Sequence, residues 1–186
     1  MIIKNSFQFS SPPTITIGFF DGVHLGHQAL LKKLTSKEHL VITFQNHPRS
    51  VLYPLQPTRL LCTNAERLHL LEKFGVQNLL LLEFTLAFSK QTPEAFLSDL
   101  KKTTHFEALV LGYDSHLGFQ REGNPSLIRE IGTQLGFSVE YIEPVVVGGI
   151  TVSSSAIRSL LQAGKREEAE KLLGHSLQEP QHINLT

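Results

Sequence analysis

Five short apolar runs recur along the chain, and amphipathic stretches separate them. Ile15–Gly18, Leu40–Phe44, Leu79–Glu83, Ala108–Gly112 and Ser138–Ile142 read as strands. Near-continuous apolar runs suit strands buried on both faces of a parallel sheet. Between them, apolar spacing and end signals predict helices. Gln28–Leu34 carries Ala29, Leu30, Leu31 and Leu34. Thr63-Asn64-Ala65-Glu66 forms a capping box before Leu68, Leu71 and Phe74, and Gly75 closes that helix. Thr92-Pro93 and Asn124-Pro125 each set a cap before a proline at the first helical position. The second of these helices carries Ile128, Ile131 and Leu135 and closes at Gly136. Ser153 or Ser154 caps a further helix ending at Gly164. Lys165–Leu173 makes a last one ending at Gly174, and His175–Thr186 is polar and unpatterned. Alternation of strand and helix predicts an α/β, Rossmann-like fold. Its mostly parallel five-stranded sheet is flanked by helices and binds ligands at the carboxyl ends of the strands.

Composition narrows the classes. At 186 residues the chain holds one domain and a short appendage. Lys plus Arg equals Asp plus Glu at 17 each. A net charge of zero gives no global case for nucleic acid or an anionic membrane, so any anion site must be local. Cys62 stands alone in the sequence, which excludes an intrachain disulfide and a Cys-based zinc site. No charged-then-apolar leader opens the chain, and no apolar run approaches the roughly 18 residues of a membrane span. The expected setting is the cytoplasm.

Chemistry concentrates in Gly18-Phe19-Phe20-Asp21-Gly22-Val23-His24-Leu25-Gly26-His27. A strand feeds a Gly-rich turn, and the turn feeds a helix. Glycines at Gly18, Gly22 and Gly26 let the backbone approach a ligand. The helix start offers free N–H groups and a positive dipole end, which suits phosphate. His24 and His27 fall at the same place. Their plainer readings are capping, packing or a metal pair lacking a third ligand at recognisable spacing; the Gly-rich context favours donation to phosphate oxygens. A second cluster, Val152-Ser153-Ser154-Ser155-Ala156-Ile157-Arg158, sets hydroxyls at a helix start with Arg158 one turn inside. Alone it reads equally as an ordinary Ser cap. Gly112-Tyr113-Asp114 and Thr43-Phe44-Gln45-Asn46-His47-Pro48 end strands and are pocket candidates. Cys62 reads as structural or incidental. P-loop, Gly-x-Gly-x-x-Gly and Gly-x-Ser-x-Gly signatures are absent from the sequence.

Together these residues resemble the adenylyltransferase domain of the prokaryotic bifunctional riboflavin kinase/FMN adenylyltransferases, over roughly residues 14 to 174. The family's Gly-x-Phe-Asp-Gly-Val-His-x-Gly-His is complete at Gly18 to His27, and its last four positions are the nucleotidyltransferase signature. Val152 to Arg158 is similar to the family's Ser-Ser-Thr-x-Ile-Arg, with Ser155 in the threonine's place. Leu61 to Arg67, Phe74 to Val76, Thr92 to Phe96 and Gly164 to Gly174 also match. Two segments depart. Asn46 replaces the first proline of Thr-Phe-x-Pro-His-Pro, and Ser115, His116, Leu117 and Phe119 replace a Phe-x-Phe-Gly-Lys pattern.

The resemblance implies a nucleotidyltransferase fold and an FAD synthetase that transfers AMP from Mg-ATP to FMN, releasing pyrophosphate. Residues 1–174 would form that domain, and 175–186 a tail or a truncated linker towards a kinase domain. It implies His24, His27, Ser155 and Arg158 as catalytic residues. Gly18, Phe20, Asp21, Gly22, Gly26, Gly112 and Ser154 would bind ATP; Phe44, His47, Pro48 and Asp114 would bind FMN. Asp21 would orient the Gly-rich turn or form an Asx turn. Mg²⁺ would bridge phosphate oxygens without an assigned protein ligand. The partners are small molecules, with no nucleic acid and no membrane. The rival readings are a nucleotidyltransferase with another phosphoester acceptor and a non-catalytic flavin- or nucleotide-binding remnant.

Overall fold

A computed structural model of the chain describes residues 2–3, 11, 13–34, 38–56 and 58–177, the first two by backbone alone. Its strands are β1 (Ile2–Ile3), β2 (Thr14–Ile17), β3 (His39–Phe44), β4 (Asn78–Leu82), β5 (Ala108–Gly112) and β6 (Ser138–Ile142). The five expected strands all form, each within one residue of its expected ends; β1 is an addition at the sheet edge. The strand order is β1-β4-β3-β2-β5-β6, and every pairing is parallel. Ile15 lies between Leu40 and Leu109 in register.

The helices are α1 (Leu25–Lys32), α2 (Pro48–Leu52), α3 (Asn64–Lys73), α4 (Pro93–Thr104), α5 (Pro125–Leu135), α6 (Ser154–Gln162) and α7 (Arg166–Leu173). Strand side chains alternate between two cores. Ile15, Ile17, Leu40, Ile42, Leu109 and Leu111 join Leu97 and Leu100 of α4 and Ile128 and Ile131 of α5. Val41, Leu79 and Val110 join Leu30 and Leu31 of α1 and Leu71 of α3. Each of these buried aliphatic side chains contributes about 1.5–3 kcal/mol. Burial on both faces explains why the runs look continuously apolar.

End signals act as expected. Thr63 and Glu66 form the capping box of α3, with Glu66 also accepting from the Thr63 amide at 2.7 Å. Thr92 and Asn124 cap α4 and α5 ahead of proline, and Ser153, not Ser154, caps α6. Helix α2 has no apolar period in the sequence; Pro48 and the His47 cap start it. A hairpin of β7 (Val146–Val147) and β8 (Ile150–Thr151) leads into α6. Helices α6 and α7 bury Ile157, Ala169, Leu172 and Leu173 with Val152 in a third, smaller core. Gln28 of α1 ties that core to the sheet, donating to the carbonyls of Val23 (2.9 Å) and Leu173 (2.8 Å).

Within the expected tail, His175–Leu177 is anchored rather than loose. His175 Nε2 lies 2.8 Å from the Gly22 carbonyl oxygen, and the Leu177 amide donates to Glu170 at 3.0 Å. Residues 178–186 lie outside the described residues.

The strand order places the site. From β2 the chain winds outward through β3 and β4, then returns to the other side of β2 for β5 and β6. The order therefore reverses between β2 and β5, and a crevice opens there at the carboxyl ends. Gly18 follows β2 and Gly112 ends β5, so both predicted loops meet at this point.

Candidate active site

After β2 the backbone turns sharply. Phe20 takes a left-handed conformation, Asp21–Val23 makes one 3₁₀ turn, and His24 caps α1. Gly22 has φ +72°, a conformation that glycine adopts at no steric cost. Gly26 faces the His24 ring, and a Cβ there would come within 3.2 Å of it. The small residue is what lets the imidazole lie over the helix start. Phe20 is buried, its ring meeting the His27 ring edge-to-face with centroids 5.1 Å apart.

The two imidazoles stack, with centroids 3.6 Å apart and planes 15° off parallel. His24 Nδ1 accepts from the His27 amide at 3.4 Å, which places the ring proton on Nε2. Burial pushes the His24 pKa down to about 4, and the positive charge of Arg158 adds to it. Burial, then the neighbouring His24, hold His27 well below the usual imidazole range. Both rings are thus neutral near pH 7. His27 Nδ1 is buried with no hydrogen-bond partner, a costly condition in a core and a common one where a ligand group is awaited.

The second cluster closes on the first through Asp21. One carboxylate oxygen accepts from Arg158 Nη1 at 2.7 Å, the other from the Leu61 amide at 2.9 Å. Ser154 Oγ donates to the Asp21 carbonyl at 3.3 Å, and Arg158 Nη2 reaches Ser155 Oγ at 3.4 Å. Asp21 therefore bridges separate segments and does not form an Asx turn. Its side chain is 4% exposed. That burial outweighs both the Leu61 amide and Arg158, so its carboxyl sits above the usual range. Cys62 is structural, as expected: its Sγ accepts from the Gly22 amide at 3.3 Å, and burial pushes the thiol up to about 11.

A third group borders the end of β3. Arg67, on α3, is buried, and its guanidinium donates to the carbonyls of Phe19 and Phe44, to Thr43 Oγ1 and to Asn64 Oδ1. Phe19 meets His47 edge-on at 4.6 Å. Burial lowers the His47 pKa, followed by Arg158, Arg49 and Arg67. The positive charge of Arg158 thus disfavours protonation of both His24 and His47. The Phe44 ring is buried against Phe84 (5.4 Å) and Phe88 (5.6 Å). The Asn46 side chain donates to the Phe84 carbonyl at 2.8 Å and accepts from its amide at 3.0 Å, stitching the β3 and β4 ends together.

The family model described as FAD synthetase matches residues 7–156. The chain belongs to the FAD synthetase family. An FAD synthetase from Listeria monocytogenes is 32% identical over 172 residues, covering 89% of this chain and 70% of that one. A bifunctional riboflavin kinase/FMN adenylyltransferase from Escherichia coli (strain K12) is 33% identical over 185 residues, 94% of this chain and 59% of that one. The chain therefore spans about three fifths of the bifunctional relative. A solved structure described as a macrolide-efflux protein from Streptococcus pneumoniae has a TM-score of 0.78 at 27% identity, covering 95% of this chain and 60% of that one. In this chain, no helix among the described residues is long and apolar enough to cross a membrane.

Family membership gives the crevice a reference pattern. Arg158 lies just beyond the matched span, yet the Asp21 pair brings it to the matched motif. Asn46, a departure from the pattern, does with side-chain hydrogen bonds what a proline does by rigidity: it fixes the loop. Gly112 and Asp114 sit at the β5 end, where the Ser115 amide donates back to Gly112 at 3.0 Å; Asp114 is exposed. Sequence reasoning missed Arg67, Phe19 and the Leu61 amide as site components. One signal was present: Arg67 lies four residues before Leu71 and seven before Phe74, so a charge occupies the apolar face of α3.

Proposed function

We propose that the chain is an FMN adenylyltransferase, joining the AMP of Mg-ATP to the FMN phosphate and releasing pyrophosphate. The FMN phosphate oxygen forms a bond to the α-phosphorus, and the α–β bridging bond breaks with its electron pair leaving on pyrophosphate. A phosphate monoester, with its second pKa near 6, is largely dianionic at neutral pH, so no general base is required. What the site must supply is alignment and charge stabilisation.

One observation carries this reading: the Asp21–Arg158 pair holds the neutral His24–His27 stack and the start of α6 together at the switch point between β2 and β5. His24 and His27 would donate to the phosphoryl oxygens. Ser155, Arg158 and Ser154 would hold the β- and γ-phosphates. Gly18, Phe20, Asp21, Gly22, Gly26 and Gly112 would shape the ATP side; Phe44, His47, Pro48 and Asp114 the FMN side. Phe20 and Phe44 are buried, so they support these walls from behind. Among the described residues no cluster of three or more His, Cys, Asp or Glu offers a metal cage, and both Asp21 oxygens are engaged. We take Mg²⁺ as part of the nucleotide, held by its phosphate oxygens. Residues 1–174 would form the adenylyltransferase domain, and a cytoplasmic setting fits small-molecule substrates.

Flavin fluorescence tests the reading. FMN with Mg-ATP loses emission as FAD forms, in step with pyrophosphate release. Turnover of another phosphoester but not FMN, or flavin binding without conversion, overturns it.

A further inference from the structure

Among the described residues Arg67 is the largest fully buried side chain, at 1% exposure. Its Nη1 donates to the Phe19 carbonyl and to Thr43 Oγ1, both at 2.6 Å. Its Nη2 donates to the Phe44 carbonyl at 2.6 Å and to Asn64 Oδ1 at 2.9 Å. None of these acceptors is a carboxylate, and Nε is buried without a partner. The Asp21 carboxylate attracts the Arg67 charge from a distance, but its own hydrogen bonds go to Arg158 and the Leu61 amide. A buried cation with no carboxylate among its hydrogen-bond acceptors is expensive, and an apolar residue would fill the same volume without that cost.

The arrangement has a local consequence. The guanidinium lies 4.1 Å from the centroid of the Phe19 ring, a close cation–π distance, while the same group grips the Phe19 carbonyl. Main chain and ring of Phe19 are thus held by one side chain. Phe19 in turn meets His47 edge-on. It occupies the one position that the Gly-x-Phe-Asp-Gly run leaves unspecified. Thr43 completes the tie by donating to the Phe19 carbonyl at 3.2 Å.

We propose that Arg67 is a positioning residue that immobilises Phe19 as the wall on which the planar isoalloxazine ring of the acceptor packs. The inference rests on the adenylyltransferase reading. A pre-ordered aromatic wall lowers the ordering cost of binding and favours a flat aromatic ligand. The effect falls on the ring of the acceptor and not on its phosphate or on ATP.

A double-mutant cycle with Arg67→Lys and Phe19→Leu tests this. The readouts are KM for FMN and for ATP, kcat, and the affinities for FMN and riboflavin from flavin fluorescence. Arg67→Lys keeps the charge and loses the planar fork. Each single change is expected to weaken FMN and riboflavin alike by about tenfold, with KM for ATP within about twofold. The double variant should be no weaker than the weaker single, because Arg67 acts through Phe19. Additive effects overturn the proposal. So does a loss for FMN without one for riboflavin, which would assign Arg67 to the phosphate, or a drop in melting temperature with flavin affinity unchanged. Should Arg67→Lys not fold, Thr43→Val removes only the hydroxyl between Arg67 and Phe19 and must shift flavin affinity in the same direction. A wild-type chain that binds flavin without making FAD overturns the functional reading and leaves the ring-affinity cycle to be read by itself. One that binds no flavin removes both.

Discussion

The guanidinium of Arg158 lies 2.7 Å from the carboxylate of Asp21, and the two residues come from opposite ends of the chain. This pair converts two separate helix starts into one site. Arg158→Met should lower kcat/KM for ATP on the order of 10²-fold, the scale of losing one charged transition-state donor. It should leave FMN affinity within a few-fold. Asp21→Asn keeps an acceptor for the Leu61 amide but strips Arg158 of its counter-charge. It should cost about 1–3 kcal/mol in urea unfolding and raise KM for ATP. Unchanged kinetics in both variants would separate the pair from the reaction.

His27→Ala should reduce turnover on the order of 10²–10³-fold while FMN binding stays near the wild-type value. The reason is geometric: the ring stacks on His24 with a buried, unpartnered Nδ1, and FMN requires no base from it. Pre-steady-state FAD formation is the measurement. A rate within threefold of wild type removes His27 from the mechanism.

Acid should destabilise the fold below neutrality. His24 has a folded pKa of about 4 against an ordinary value of 6.5. Above pH 6.5 neither state is protonated at this ring, so it contributes no pH dependence. Between 6.5 and 4 the unfolded chain takes up a proton that the folded chain refuses, and stability falls with pH by roughly 1.4 kcal/mol per unit. His27 acts in the same direction. Asp21, whose carboxyl is raised by burial, acts in the opposite direction and offsets part of the loss. Urea melts from pH 8 to pH 4 should show this slope, and His24→Gln should flatten it.

Asn46→Ala should destabilise by about 1–3 kcal/mol, since both the amide and the carbonyl of Phe84 lose their partner. Asn46→Pro restores the family's residue yet loses the same two bonds, so in this chain it should also lower the melting temperature. A melting temperature at or above wild type for the proline variant would show that rigidity alone can hold the loop.

Much of the fold was legible because its signals are local. A strand buried on both faces must be apolar along its length, and Thr63, Thr92 and Asn124 cap helices through bonds made within three residues. The edge strand Ile2–Ile3 and the short helix at Pro48–Leu52 were not legible, since neither is long enough to show a period. The Gly-rich turn was readable for the same local reason: Gly22, Gly26, His24 and His27 lie within a single turn of chain.

Tertiary structure decided everything that depends on partners distant in sequence. Only the winding of β2, β3 and β4 to one side and β5 and β6 to the other brings Gly18 and Gly112 to one crevice. Only packing of the α6–α7 hairpin against α1 carries Arg158 to Asp21, and only burial makes the two histidines neutral. Asp21 looked like a turn residue and became the joint between two motifs; Arg67, a charge on the apolar face of α3, became the buried anchor of Phe19. Residue types and short spacings are written in the chain itself. Which charges lose their water, and what they meet when they do, is settled when the sheet closes over them.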